Sequence, residues 1–168
     1  MLIKFPGQIT MLRMSKLADY GTVILTTLLQ KPGQVQSAAD IAASIRVPVT
    51  TVSKILKTLT REGLVLSLRG AKGGYTLSRC PEQISMAQVI EAMDGPIGMT
   101  ECSITPGLCA RESYCPVRTN WQRVNTIVLQ ALQQVTLDQM VQPVPKSTIG
   151  APARLVAPIE HRMNGEQA

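Results

Sequence analysis

The sequence predicts a mainly α-helical fold with a small β wing: a winged helix-turn-helix followed by a long C-terminal dimerisation helix. Three features predict it. Consecutive segments between Ser15 and Leu59 carry apolar residues at helical spacing, the last two separated only by Val47-Pro48. Two short β-type runs around a Gly-rich turn follow at once. Farther on, Trp121, Val124, Val128, Leu132 and Val135 form one amphipathic stripe in a long segment led by Pro116.

The first helix is capped by Ser15, buries Leu17, Tyr20, Ile24 and Leu28, and stops at Lys31-Pro32-Gly33. Ser37 caps the second, with Asp40 three residues on in a variant of the capping box, and Ile41, Ala42 and Ile45 form its apolar face. Pro48 in the first turn starts the third, whose expected buried stripe is Val49, Val52, Leu56 and Leu59. Its outer face keeps Thr50, Thr51, Ser53, Lys54, Lys57 and Thr58, side chains able to reach phosphates or bases. After Gly63, Leu64 to Leu68 and Tyr75 to Leu77 read as strands flanking Arg69-Gly70-Ala71-Lys72-Gly73-Gly74. Arg69 and Lys72 then sit at the hairpin tip, suited to a phosphate or a narrow minor groove. The turn lacks both the P-loop order and a GxGxxG at a strand–helix junction, so a nucleotide cradle is disfavoured, and an ordinary surface hairpin is the alternative. Ser85 caps a further helix, Met86 to Met93, which ends at Asp94-Gly95-Pro96. The long terminal helix is expected to pair with another copy; folding back onto the winged domain is the alternative. Thr136 to Met140 is read as a short closing turn.

The resulting organisation is a leader over 1–11, a DNA-binding winged domain over 12–80, a cysteine loop with its dimerisation helix over 81–141, and a Pro-rich disordered tail over 142–168. Apolar content of 45% is enough for a buried core. No apolar run approaches the roughly 20 residues needed to span a bilayer. The opening MLIKFPGQIT has no signal-peptide pattern, so a cytoplasmic protein with reduced thiols is expected. The net charge of +6 is unevenly placed. From Arg13 to Arg79 there are ten Lys/Arg against Asp19, Asp40 and Glu62, whereas from Cys80 onward six basic residues face eight acidic ones. A basic half joined to a slightly acidic half is the footprint of a nucleic-acid module with a separate sensing or pairing part.

Cys102, Cys109 and Cys115 fall within fourteen residues as C-x6-C-x5-C. Soft thiolates select iron–sulfur clusters, zinc or Cu(I). Structural zinc sites favour closer C-x2–4-C pairs, and no CxxC occurs here. Wider steps suit a loop wrapped around a multi-iron cluster; zinc and incidental thiols remain the alternatives. Cys80, beside Pro81, belongs to a different element.

Arg13-Met14-Ser15-Lys16-Leu17-Ala18-Asp19-Tyr20, the helix-turn-helix with Arg69-Gly70-x-x-Gly73-Gly74-Tyr75, and the three cysteines together resemble the Rrf-two family of bacterial transcription regulators over about Leu12 to Val141. The likeness is to its IscR-like and NsrR-like branches, and LADYGTVIL with C-x6-C-x5-C looks most like the SUF-system regulators of iron–sulfur assembly. The resemblance implies a homodimer on a near-palindromic DNA operator, contacted from Arg13, Thr50, Thr51, Ser53, Lys54, Lys57, Arg69 and Lys72. It also implies a 2Fe–2S or 4Fe–4S cluster on Cys102, Cys109 and Cys115 whose state tunes DNA affinity. IscR-like members carry a histidine three residues after the last cysteine, and here that position is Arg118; the single histidine, His161, lies in the tail. NsrR-like members use an aspartate from the first helix of the other subunit, which corresponds here to Asp19. A carboxylate in a first helical turn also has a plain explanation, since it favours the helix dipole by below about 1 kcal/mol. The leading functional reading is therefore a cluster-sensing repressor or regulator of SUF genes. A thiol- or nitric-oxide-responsive, or zinc-stabilised, DNA-binding regulator is the second. An enzyme is not expected, because no Gly-rich cofactor motif, Ser/His/Asp set or radical CxxxCxxC occurs.

Overall fold

A computed structural model describes residues 14–70 and 73–143. The chain runs α1 (Lys16–Leu29), α2 (Ala38–Ile45), α3 (Val49–Arg61), β1 (Val65–Leu68), β2 (Gly74–Leu77), α4 (Met86–Asp94), α5 (Glu101–Ile104) and α6 (Arg118–Gln134). Short 3-10 turns lie at Pro81–Gln83, Glu112–Tyr114 and Gln139–Val141. The expected mainly helical fold with a two-stranded wing is what forms. The leader, Arg13, Lys72 and the tail from residue 144 lie outside the described residues.

Local chemistry sets most boundaries. Ser15 caps α1 by accepting from the Ala18 N–H at 3.0 Å. Ser37 and Asp40 make a full capping box on α2, and Ser85 with Gln88 makes another on α4. Each box satisfies two amide donors that a helix start otherwise leaves open. The Ser37 hydroxyl donates to the Asp40 carboxylate at 2.6 Å and, followed by the Ser37 backbone N–H, holds that carboxyl below its ordinary range. Pro48 stands one residue ahead of α3 rather than inside its first turn.

One core joins the helices. Ile24, Leu25 and Leu28 of α1, Ile41 of α2, Val52, Ile55, Leu56 and Leu59 of α3, and Val65, Ile84 and Val89 pack together, each 3% exposed or less. Two expected core positions fall outside it. Leu17 is exposed, because the buried side of α1 runs through Ala18, Gly21, Thr22 and Leu25 and turns Leu17 away. Val49 is exposed at the start of α3, directly after the surface turn at Pro48, while Ile55, outside the expected stripe, is buried.

The wing pairs antiparallel with Val65 opposite Leu77 and Leu68 opposite Gly74. It is fastened to the helical body by a bridge between Gln36 and Tyr75, with bonds of 3.0 and 2.8 Å. Gly74 makes that approach possible, since a Cβ there would stand 2.5 Å from the Gln36 carbonyl oxygen.

The stripe on α6 divides. Leu132 packs against the core and Val128 is half-buried, whereas Trp121 and Val124 are exposed. Val135 lies past the helix end in extended backbone, because its carbonyl accepts from the Met86 N–H at 2.8 Å. The next residues do more than close a turn. Leu137 donates to the Ile84 carbonyl at 2.8 Å and is fully buried. Leu137→Ala removes a fully buried leucine from this junction and should cost about 2–5 kcal/mol, read as a lower urea midpoint with little change in slope.

Candidate nucleic-acid interface and cysteine loop

The third helix presents a polar face. Val52, Ile55, Leu56 and Leu59 hold it against the core, which turns Thr50, Lys54 and Lys57 to solvent and leaves Thr51, Ser53 and Thr58 half-exposed. From Thr50 to Lys57 this face spans about 10 Å of helix, a length that fits within a DNA major groove. Arg69 is exposed at the end of the wing's first strand. Among the described residues the ion pairs are Arg61–Glu62 and Arg118–Glu112, so Lys54, Lys57 and Arg69 carry uncompensated charge. Free cations beside hydroxyls on a helix that the core holds rigid are what a polyanion recognises.

The cysteine loop lies between Gly95-Pro96 and α6. Cys102 is buried on α5, its sulfur 3.3 Å from the Thr100 hydroxyl; Cys109 and Cys115 are half-buried, and Cys80 is exposed beyond the wing. All four thiols are free. In the described conformation the three loop thiols are not gathered: among the described residues no group of three His, Cys, Asp or Glu side chains stands ready to hold a metal ion. Asp19 is exposed in the first turn of α1.

Glu112, from the stretch between Cys109 and Cys115, organises the loop. Its carboxylate accepts from the Gly107 N–H at 2.5 Å and pairs with the Arg118 guanidinium at 2.5 Å. One side chain thereby ties both spacers to the first turn of α6. Gly107, Cys109, Glu112, Ser113 and Arg118 line an open cavity of about 350 Å³, and the Arg118 Nε is buried with no hydrogen-bond partner. Three free thiols, an open cavity at Cys109 and an orphaned cationic donor fit a group rich in thiolate and sulfide charge. On the other side of the loop, the Asn125 side chain accepts from the Met99 N–H at 3.0 Å and donates to the Ile97 carbonyl at 3.5 Å. It is the buried residue of α6. The sequence reading passed over Asn125 and the Glu112–Arg118 pair; an asparagine inside an apolar stripe was the available signal for the first.

A wing fastened beside a cationic helix, with a thiol-bearing loop behind it, defines a winged helix-turn-helix transcription regulator. The chain belongs to the Rrf2 family (Rrf-two above), whose model, described as an iron-dependent transcriptional regulator, matches residues 14–143. It is 29% identical over 127 residues to the HTH-type transcriptional regulator IscR of Pectobacterium carotovorum subsp. carotovorum strain PC1, covering 76% of each chain. It is 26% identical over 132 residues to Protein rrf2 of Nitratidesulfovibrio vulgaris, covering 78% of this chain and 88% of that one. Among solved structures it is similar to CymR, the global cysteine regulator of B. subtilis, with TM-score 0.62, 29% identity and coverage of 77% and 96%. It shares the fold of T. potens IscR at TM-score 0.60, 23% identity and coverage of 82% and 96%. These relatives are regulators, not enzymes. No helix among the described residues is long and apolar enough to cross a membrane.

Two substitutions test the DNA face. Arg69→Ala should weaken DNA binding without lowering the melting temperature, since the side chain is exposed and unpaired. Lys57→Ala should reduce the slope of log affinity against log salt by about one phosphate's worth, measured by fluorescence anisotropy across a salt series.

Proposed function

We propose that this chain is an iron–sulfur-cluster-sensing transcription regulator, a homodimer that represses or tunes genes of the SUF iron–sulfur assembly system. The observation that carries the proposal is the loop with three free thiols, set between α4 and α6 of a winged regulator with a cationic recognition helix. Cys102, Cys109 and Cys115 would hold the cluster, and Asp19 from the other subunit would be the fourth ligand. Bound there, a cluster would supply a centre sensitive to oxygen, nitric oxide or chelators, with Asp19 as its one hard oxygen donor among softer thiolates. The protein's own part is placement. Asn125 pins the segment entering the loop, Glu112 holds its two spacers, and Arg118 brings a buried, unpartnered Nε to the cavity beside Cys109. Thr50, Thr51, Ser53, Lys54, Lys57, Arg69 and, outside the described residues, Arg13 and Lys72 would contact DNA.

The dimer reading has its own support. Trp121 and Val124 stay exposed on α6, as do Leu17 on α1 and Met14 just ahead of it, and apolar side chains left uncovered in this way suit a second copy. Val124→Asp should dissociate the protein, because a carboxylate in a closed interface is buried without a partner. Sedimentation of an intact Val124→Asp dimer would place the interface elsewhere.

A thiol-responsive or zinc-stabilised regulator without a cluster is the second reading. In its support, a solved neighbour, 27% identical at TM-score 0.60, is an oxidized form of Staphylococcus aureus CymR. Anaerobic purification with iron and sulfide analysis separates the two. Brown protein with acid-labile sulfide supports the cluster; colourless protein with tightly bound zinc supports the alternative. Footprinting of cluster-loaded and cluster-free protein on the DNA upstream of its own gene then reads which form binds. Alanine at Cys102, Cys109 or Cys115 should abolish the chromophore, while Cys80→Ala retains it. Asp19→Ala should assemble a cluster that bleaches faster in air; a lifetime equal to wild type would remove Asp19 from the ligand set.

A further inference from the structure

The helix-turn-helix contains a backbone conformation that its residue type does not favour. Arg46, which ends α2, has φ 56° and ψ 43°, in the left-handed region. There the Cβ crowds the following carbonyl oxygen, so the position costs an L side chain free energy that glycine avoids. Every other positive-φ position among the described residues is glycine. A glycine at 46 would make the same capping bond, since that bond is from the backbone N–H to the Ala42 carbonyl. The arginine therefore stands at this turn against local preference.

Its side chain does no visible work inside the chain. The Arg46 side chain is exposed and takes part in no hydrogen bond or ion pair among the described residues. It stands two residues ahead of Pro48, at the end of α3 where Thr50 begins the polar face. In helix-turn-helix proteins the start of the recognition helix reaches base edges, and the chain beside it passes the sugar-phosphate backbone. We infer that Arg46 binds a backbone phosphate of the DNA duplex, and that the turn keeps a strained arginine because a guanidinium is needed there. The inference rests on the DNA-binding character of the family and adds a contact outside the residues already assigned to the interface. The competing role is structural: a cation at the carbonyl end of α2 is favoured by the helix dipole.

The experiment compares wild type, Arg46→Gly and Arg46→Lys as full chains. A fluorescent mixed-sequence duplex of about 30 base pairs is suitable, because phosphate contacts are independent of sequence. Melting temperature is read without DNA, and Kd between 50 and 200 mM salt. Arg46→Gly should melt higher than wild type, bind the duplex more weakly, and lose about one unit of salt slope, so that its deficit shrinks about threefold across that range. Arg46→Lys, equally strained and equally charged, should keep the wild-type melting temperature and slope. An unchanged slope in Arg46→Gly overturns the inference whatever happens to affinity, and a lower melting temperature with that unchanged slope assigns the residue to the end of α2. Wild type that fails to bind the duplex at either salt overturns the DNA-binding reading itself, a result distinct from failure at Arg46.

Discussion

Two backbone hydrogen bonds close the molecule. Met86 donates to Val135 and Leu137 donates to Ile84, both at 2.8 Å, and between them Ser85 lies opposite Thr136. The pairing joins the entry of α4 to the exit of α6, so everything from α4 through the cysteine loop to α6 is an excursion clamped at both ends. Leu137 and Ile84, both fully buried, insert this clamp into the same core that orients the third helix. Beyond this clamp, α6 reaches that core at Leu132 and packs directly on α4.

The clamp gives the loop and the DNA face a common foundation. α4 packs on α1 and α3, and Gly21 of α1 lets it come close: a Cβ there would meet the Met93 side chain at 3.2 Å. At the end of α4, Asp94 accepts from the Ser15 hydroxyl at 2.5 Å, immediately before the Gly95-Pro96 entry to the loop. Ser15 is also the cap of α1, the helix that carries Asp19. The loop entry is therefore joined to α1 by one hydrogen bond and, through α4, to α3 by direct packing. The wing follows the same body, because Gln36 ties β2 to the segment ahead of α2. Contiguous packing of this kind joins the cysteine loop to the helix-turn-helix.

Legibility in the sequence followed the range of the interactions. The capping residues Ser15, Ser37 and Ser85 act on amides three residues away, and each was readable from its neighbours. The wing strands were readable from β-type runs around glycines, but the use of Gly74 was not, because the carbonyl it accommodates belongs to Gln36. Periodicity identified the apolar stripe of α3 and misjudged its first member, since exposure of Val49 depends on where the helix leaves its neighbours. On α6 the stripe was legible and its division was not. The same valines and leucines serve a fold-back contact at Leu132 and an uncovered surface at Val124, and periodicity does not distinguish the two.

By itself the sequence determined the class of fold, the order of the elements, the cationic face of the third helix and the presence of three thiols in one loop, because local hydrogen bonding, side-chain period and residue type carry those properties. Tertiary structure alone decided that Leu137 returns to Ile84, that Asn125 and Glu112 brace the loop, and that Arg46 stands strained and unpaired beside the recognition helix. The first two depend on pairings between distant segments, and the Glu112 contacts, five and six residues away, depend on how the loop folds back on itself. The fourth depends on a backbone angle imposed by the packing of α2 against α3. Neither a long-range pairing nor an imposed angle is written in the residue that bears it.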